Sequence, residues 1–262
     1  MSIGFIGSGN MATAIIKGII KSKTVEENEI NVFDVYAPAV EKLTAEYKIN
    51  KCESECDVVS SSDAVILAVK PNVLPQVLNK INTTLEESDT LLISIAAGKS
   101  TEFIRGALSH NNRIIRVMPN INATVSEAMC AYTANADATE ADKQTAEAIF
   151  SGVGKVMYLD ENYFPLFGVI GGCGPAFAYM FIDAMARAGV KNGMKKDTAL
   201  MVAAQTVLGS AKMILDSSEH PWELIDKVCS PGGTTIEAVT SLQADGFESA
   251  IHNAIDKAVD KD

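Results

Sequence analysis

The chain opens with Ser2-Ile3-Gly4-Phe5-Ile6-Gly7-Ser8-Gly9-Asn10-Met11-Ala12 and continues through Ala14, Ile15, Gly18 and Ile19. Residues 2–6 form a short apolar run of the kind a buried strand needs, and the apolar residues after Ala12 recur at helical spacing. Gly7 permits the sharp turn between them. Gly9 removes a side chain where a pyrophosphate comes close, and Ala12 stands at the third glycine position, where helix and strand pack tightly. A glycine pattern alone is weak evidence, because plain turns carry it too. Here a strand precedes it and a helix follows, so Ile6, Gly7, Ser8, Gly9, Asn10, Met11 and Ala12 are expected to cradle a dinucleotide.

The next segments repeat the alternation. Residues 29–33 read as a second strand ending at Asp34, residues 39–47 as a helix, and Ala64-Val65-Ile66-Leu67-Ala68-Val69 as a fully buried parallel strand. Residues 73–81 and 101–108 are helical, and residues 91–95 and 113–117 are strands. Ligands of an open parallel sheet sit beyond the carboxyl ends of its strands, so the loops Val69-Lys70-Pro71, Ala96-Ala97-Gly98 and Met118-Pro119-Asn120 are expected to face the cofactor. Lys70 reads either as a ribose or phosphate contact or as a solvated lysine, and the small residues around Ala97 leave room for a flat ring. Further strands are expected over 129–133 and 155–159, with a helix over 140–150 capped by Thr139. The alternation specifies a doubly wound parallel sheet.

Asp34 has two readings. An acid at the end of the second strand commonly bonds the adenosine ribose hydroxyls and repels the 2'-phosphate that distinguishes NADP, which points to NAD. Its separation from the glycines exceeds the usual roughly twenty residues, with 23–28 as the lengthened connection, and a solvated strand-end Asp is the alternative.

Strand signals stop after Leu159, and residues 162–261 read as helix, which divides the chain into 1–160 and 161–262. Gly171-Gly172-Cys173-Gly174-Pro175 is expected to break one helix and start the next, with Pro175 in the first turn. Residues 176–188 and 198–215 are apolar on more than one face, with Met180, Met185, Met201 and Met213 among them, which predicts burial against a second subunit. Asp183, Arg187, Gln205 and Lys212 interrupt these stretches and argue against a membrane span. Further on, Pro231 closes the helix carrying residues 224–228, and Gly232 and Gly233 let backbone approach a ligand before helical spacing resumes at Ile236. The resulting helix start suits a small carboxylate, because bare N–H groups and the helix dipole both favour negative charge. A helix–helix turn with threonine caps is the plainer reading.

Composition narrows the partners. A chain of 262 residues with 47% hydrophobic residues buries a substantial core, and a formal charge of −11 without a long basic run argues against nucleic acid and anionic membrane surfaces. Five scattered cysteines, at 52, 56, 130, 173 and 229, suit a reduced compartment. Cys52 and Cys56 lack a matching downstream pair, so no metal is expected, and His110, His220 and His252 show no metal or triad spacing. No basic region precedes the first apolar run, so the chain reads as cytoplasmic.

The run His220-Pro221, Leu224, Val228-Cys229-Ser230-Pro231-Gly232-Gly233-Thr234-Thr235-Ile236-Glu237-Ala238-Val239 and Leu242-Gln243 resembles the signature of the pyrroline-5-carboxylate reductases. The three strand-end loops resemble the same family, in which they line the nicotinamide side of the cleft. The resemblance implies a Rossmann domain followed by an all-α dimerisation domain with interleaved helices. It also implies that Ser230, Gly232, Gly233, Thr234 and Thr235 bind the substrate: amides near Thr234 and Thr235 hold its carboxylate, and the Thr235 hydroxyl, the catalytic candidate, faces the ring nitrogen. The implied reaction is NADPH- or NADH-dependent reduction of a cyclic imine to proline, in a homodimer or a higher assembly of dimers. Many family members prefer NADPH and carry a small polar residue near the Asp34 position, so the resemblance and the acid pull in opposite directions and the preference stays open. Gly171, Cys173 and Phe177 depart from the family's two serines and tyrosine. Two other readings remain at this stage: a hydroxy-acid dehydrogenase of similar architecture, whose usual catalytic lysine has no marked counterpart here because Lys191, Lys195 and Lys196 fall near a helix end without a glycine turn, and a non-catalytic NAD(P)H sensor.

Overall fold

Short apolar runs joined by amphipathic helices build the amino-terminal part of the chain. In the computed structural model, which describes residues 1–261, the elements follow as β1 (Ile3–Ile6), α1 (Asn10–Ser22), β2 (Ile30–Phe33), α2 (Ala37–Glu46), β3 (Asn50–Lys51), α3 (Glu55–Ser60), β4 (Ala64–Leu67), α4 (Leu74–Glu86), β5 (Leu91–Ser94), α5 (Thr101–Gly106), β6 (Ile114–Met118), β7 (Ala128–Ala134), α6 (Glu140–Ser151) and β8 (Gly154–Tyr158). The strands form one eight-stranded sheet in the order β3-β2-β1-β4-β5-β6-β7-β8. Strand β1 lies between β2 and β4, parallel to both, with Ile3 opposite Ile30 and Ala64. The strand order reverses here, and the resulting crevice is where such sheets bind ligands.

Alternation of side chains across the pleat sends Ile3 and Phe5 to one apolar layer and Ile6 to the other. The first layer is closed by α1, α2 and α6 through residues such as Ile15, Leu43 and Phe150, and the second by α3, α4 and α5 through Val58, Leu78 and Ile104. Close helix packing depends on glycine: a Cβ on Gly18 of α1 would stand 2.8 Å from the carbonyl oxygen of Gly152, just past α6.

Strands β1 to β6 are parallel, as the alternation predicts, but β7 runs antiparallel to β6 and carries β8 parallel to itself. The reason is the connection. Only the 3₁₀ turn Ile121–Val125 separates β6 from β7, and a parallel crossover needs a dozen or more residues. The two-residue β3 and the short α3, capped by Ser54 accepting from the Asp57 amide at 3.1 Å, have no counterpart in the sequence reading. Thr139 caps α6 as expected, in a reciprocal arrangement with Asp142.

After β8 come α7 (Phe164–Phe167), a π-helical stretch Gly168–Cys173 and α8 (Gly174–Lys191). The glycine cluster therefore does not break the helix, contrary to the sequence expectation: residues Glu161–Lys191 run as one helical segment. A proline ring inside an α-helix collides with the carbonyl four residues back, and π widening relieves that collision just ahead of Pro175. The described residues divide into two compact units, Met1–Gly172 and the residues from Cys173 onward. Residues 161–172 stay with the first unit because Glu161 accepts from the Thr101 amide at 2.8 Å, the Thr101 hydroxyl at 2.7 Å and Arg116 at 3.0 Å. Phe164, fully buried, lies beneath the Arg116 guanidinium, 4.4 Å from its ring centroid.

The second unit continues with α9 (Lys196–Asp216), α10 (Pro221–Val228), α11 (Thr234–Ala244) and α12 (Phe247–Val259). Its interior is small: Ala186, Ala199 and Ala203 with Ile182 against them. Helices Glu161–Lys191 and Lys196–Asp216 are long and apolar enough to cross a membrane by length and hydropathy, despite Asp183 and Arg187, which pair with each other one turn apart.

Candidate active site

The turn after β1 is held in a conformation only glycine adopts easily. Gly7 has φ of +105°, a Cβ there would stand 2.5 Å from the Ala68 carbonyl oxygen, and its amide donates to the Phe33 carbonyl at 2.8 Å. Gly9 is the N-cap of α1, and nothing lies within 4 Å of where its Cβ would be. No side chain caps α1 and no acidic residue occupies its first turn. The amides of Asn10, Met11 and Ala12 therefore have no side-chain cap and stand at the positive end of the helix. The Ala12 side chain is buried in the core. An uncapped helix start behind an unobstructed glycine fits a pyrophosphate.

Cavities flank this turn on both sides. One, of about 280 Å³, is lined by Gly7, Phe33, Asp34, Val35, Glu55, Val69 and Lys80 among others. The other, of about 320 Å³, is lined by Gly9, Asn10, Met11, Ala12, Val69, Lys70, Ala96, Ala97, Arg116, Met118 and Pro119. The loops after β4, β5 and β6 thus meet at one hollow, and exposed Lys70 lines it. Ser8, Pro71, Gly98 and Asn120 do not line these hollows, though each is next in sequence to a residue that does. Ser8 turns toward Asp34, and Asn120, buried, donates to the Gly171 carbonyl at 2.9 Å while its Oδ1 has no partner. A larger hollow of about 650 Å³ lies at the amino ends of β1, β4 and β5, beside Asp63, Asp89 and Arg113. Ligands of this architecture bind at the carboxyl ends, so the glycine side is the candidate site.

Three charged lining residues escaped the sequence reading of the site. Arg116 reads only as part of a strand, Glu55 lies on a helix too short to recognise, and Lys80 reads only as part of a helix. A charged residue within an otherwise apolar strand was the available signal for Arg116.

In the second unit, His220 caps α10: its Nδ1 accepts the Trp222 amide at 3.2 Å and its own amide donates to Glu223 at 3.0 Å. That is the structural role expected for it. Helix α10 ends at Val228, and the loop turns through Gly232 at φ +68° to Gly233, whose amide donates to the Ser230 carbonyl at 2.9 Å. A Cβ on Gly233 would meet the Ser230 hydroxyl at 2.3 Å. Gly233 is the N-cap of α11 and no side chain caps that helix, so Thr234 and Thr235 act as first-turn residues whose amides stay bare. This loop can hold a carboxylate.

Glycine turn, bare helix start and flanking hollows at the strand-order reversal define a dinucleotide-dependent oxidoreductase. The model described as "Pyrroline-5-carboxylate reductase dimerisation" matches residues 161–262, and the one described as "NADP oxidoreductase coenzyme F420-dependent" matches residues 2–98. The pyrroline-5-carboxylate reductase of Methanosarcina acetivorans is 42% identical over 99% of this chain and 96% of its own length, and the chain belongs to the pyrroline-5-carboxylate reductase family. The solved structure of the Coxiella burnetii pyrroline-5-carboxylate reductase superposes with a TM-score of 0.94 at 31% identity, covering 99% of this chain and 96% of that one. The Plasmodium falciparum pyrroline carboxylate reductase, solved with NADP bound, gives 0.87 at 30% identity, covering 100% and 96%.

Proposed function

We propose that this protein reduces 1-pyrroline-5-carboxylate to L-proline at the expense of NADH or NADPH, the final step of proline biosynthesis. The observation that carries the reading is the uncapped start of α11 behind Gly232 and Gly233, in a chain that belongs to the reductase family and has a second uncapped helix start behind Gly7 and Gly9.

Ile6, Gly7, Gly9, Asn10, Met11 and Ala12 hold the pyrophosphate, Ser8 and Asp34 shape the turn, and Val69 and Lys70 take the adjoining ribose or phosphate. Ala96, Ala97, Gly98, Pro119 and Asn120, with Pro71 setting the loop after β4, leave room for the nicotinamide. When bound, the reduced nicotinamide supplies the hydride that reaches the C=N carbon. Ser230, Gly232, Gly233 and Thr234 shape the carboxylate cradle, and the Thr235 hydroxyl hydrogen-bonds the ring nitrogen and fixes the face presented. A protonated imine is already electrophilic, so these residues chiefly orient it and exclude water.

The functional division follows 1–160 for the dinucleotide and 161–262 for substrate and dimerisation. The assembly is a homodimer or an assembly of dimers, which the description of the carboxyl-terminal family model as a dimerisation region supports, and it works in the cytoplasm with neither nucleic acid nor membrane as partner. The test is oxidation of NADH and of NADPH, separately, by purified protein with racemic pyrroline-5-carboxylate, with proline measured as product. Absence of proline with both nucleotides, or faster turnover of short hydroxy acids, would remove the reading.

A further inference from the structure

The 280 Å³ hollow beside the glycine turn has an unusual electrostatic lining. Its walls are apolar where Val69, Val73 and Val77 stand, as a flat base requires. Its charged residues are Asp34, Glu55 and Lys80, and no arginine lines it among the described residues. Lys80 is already engaged: its Nζ lies 2.8 Å from Glu55 Oε1, and the Glu55 side chain is only 9% exposed. The lining therefore carries one carboxylate in excess, and its single cation is neutralised by a buried partner.

Resting on the dinucleotide-site reading above, we infer that the Asp34 and Glu55–Lys80 lining makes this site favour NADH over NADPH. The two nucleotides differ by a 2'-phosphate that carries nearly two negative charges at neutral pH. Sites that accept it usually supply an arginine, whereas an acid after the second strand bonds the ribose hydroxyls of NAD. Here the phosphate meets two carboxylates. It gains Lys80 only by sharing an ammonium that Glu55 already holds, which weakens the neutralisation of a buried carboxylate. Asp34 keeps acceptor capacity for a ribose hydroxyl, because each of its oxygens carries two lone-pair sites and Oδ1 serves only the Tyr36 amide.

Titration calorimetry of the full chain with NADH and with NADPH tests this without catalysis. NADH is expected to bind at least about tenfold more tightly, a margin equal to about 1.4 kcal/mol. Glu55→Gln frees Lys80 and removes a negative charge, so NADPH should tighten at least about fivefold while NADH moves less than about twofold. Adding Lys80→Ala to Glu55→Gln should abolish that gain. NADPH binding as tightly as NADH to the unmodified protein, or a ratio unmoved by Glu55→Gln, would overturn the inference and leave the site intact. Failure of both nucleotides to bind would overturn the functional reading and this inference with it.

Discussion

Asp34 grips Ser8 twice: one carboxylate oxygen accepts the Ser8 amide at 2.7 Å and the Ser8 hydroxyl at 2.9 Å. Its other oxygen accepts the Tyr36 amide at 2.9 Å. The end of β2 is thereby keyed to the glycine turn after β1, and the turn sets the direction of the bare amides of α1. Asp34→Ala removes all of these contacts, and hydrogen bonds to a charged group are worth about 1.5 to 3 kcal/mol each. NADH affinity should fall at least about tenfold by calorimetry, and hydrogen exchange at the Ser8 amide should accelerate. Unchanged affinity would show that the turn holds its shape without the acid.

Cys130 on β7 is fully buried, and burial pushes its thiol from the usual value up to about 12. The unfolded chain releases this proton near pH 9, whereas the folded chain keeps it. The folded state thus holds more protons between those limits, so the contribution is complete below about pH 9 and is lost as pH rises toward 12. Over the whole window the loss is about 4 kcal/mol. Urea denaturation between about pH 8 and pH 10.5 should show wild-type stability falling more steeply than that of Cys130→Ala, by about 2 kcal/mol over the interval. Parallel slopes would mean that the native thiol ionises as readily as the unfolded one.

The sheet was legible because its strands are continuous apolar runs and its loops carry small residues and proline at matching places. Period and length specify such elements locally. The reversal of β7 was not legible, since it depends on the shortness of the turn after β6 rather than on any residue in β7. The helical continuity through Gly171 to Gly174 was hidden for a related reason: glycine and proline usually end helices, and only the π geometry around them keeps this one going. Within the nucleotide site the backbone donors could be read from Gly7 and Gly9. The charged wall at Glu55 and Lys80 could not, because α3 is only six residues long and its burial arises from packing on α4.

Thr235 stands in the first turn of α11, with its amide uncapped and its side chain half-buried. In the proposed reaction its hydroxyl orients the imine nitrogen and nothing in nucleotide binding depends on it. Thr235→Ala should lower turnover of pyrroline-5-carboxylate roughly ten- to hundredfold, the loss of one orienting hydrogen bond of about 1 to 3 kcal/mol, with NADH affinity unchanged. Thr235→Ser should restore most of the activity, because it keeps the hydroxyl. Full activity in the alanine variant would reject the assignment.

Met201, Leu208 and Leu215 recur every seventh residue along α9, on one stripe, and are 69%, 58% and 72% exposed in the single chain. Helix α8 adds Met180, 72% exposed. A unit whose own interior amounts to three alanines cannot bury such a stripe by itself. Facing copies would remove it from water, each square ångström of apolar surface contributing about 25 cal/mol before the cost of association. Leu208→Glu places a carboxylate where the partner's apolar surface should close, which disfavours association by more than the lost leucine contact alone. Sedimentation equilibrium should show the wild-type chain as a dimer or larger at micromolar concentration and Leu208→Glu shifted toward monomer. Nucleotide binding to the first unit should persist in that variant, which separates lost association from lost folding. A monomeric wild-type protein at the same concentration would leave the stripe to the other surface its length and hydropathy allow, a lipid bilayer, and partition of the wild-type chain onto vesicles would then settle between them.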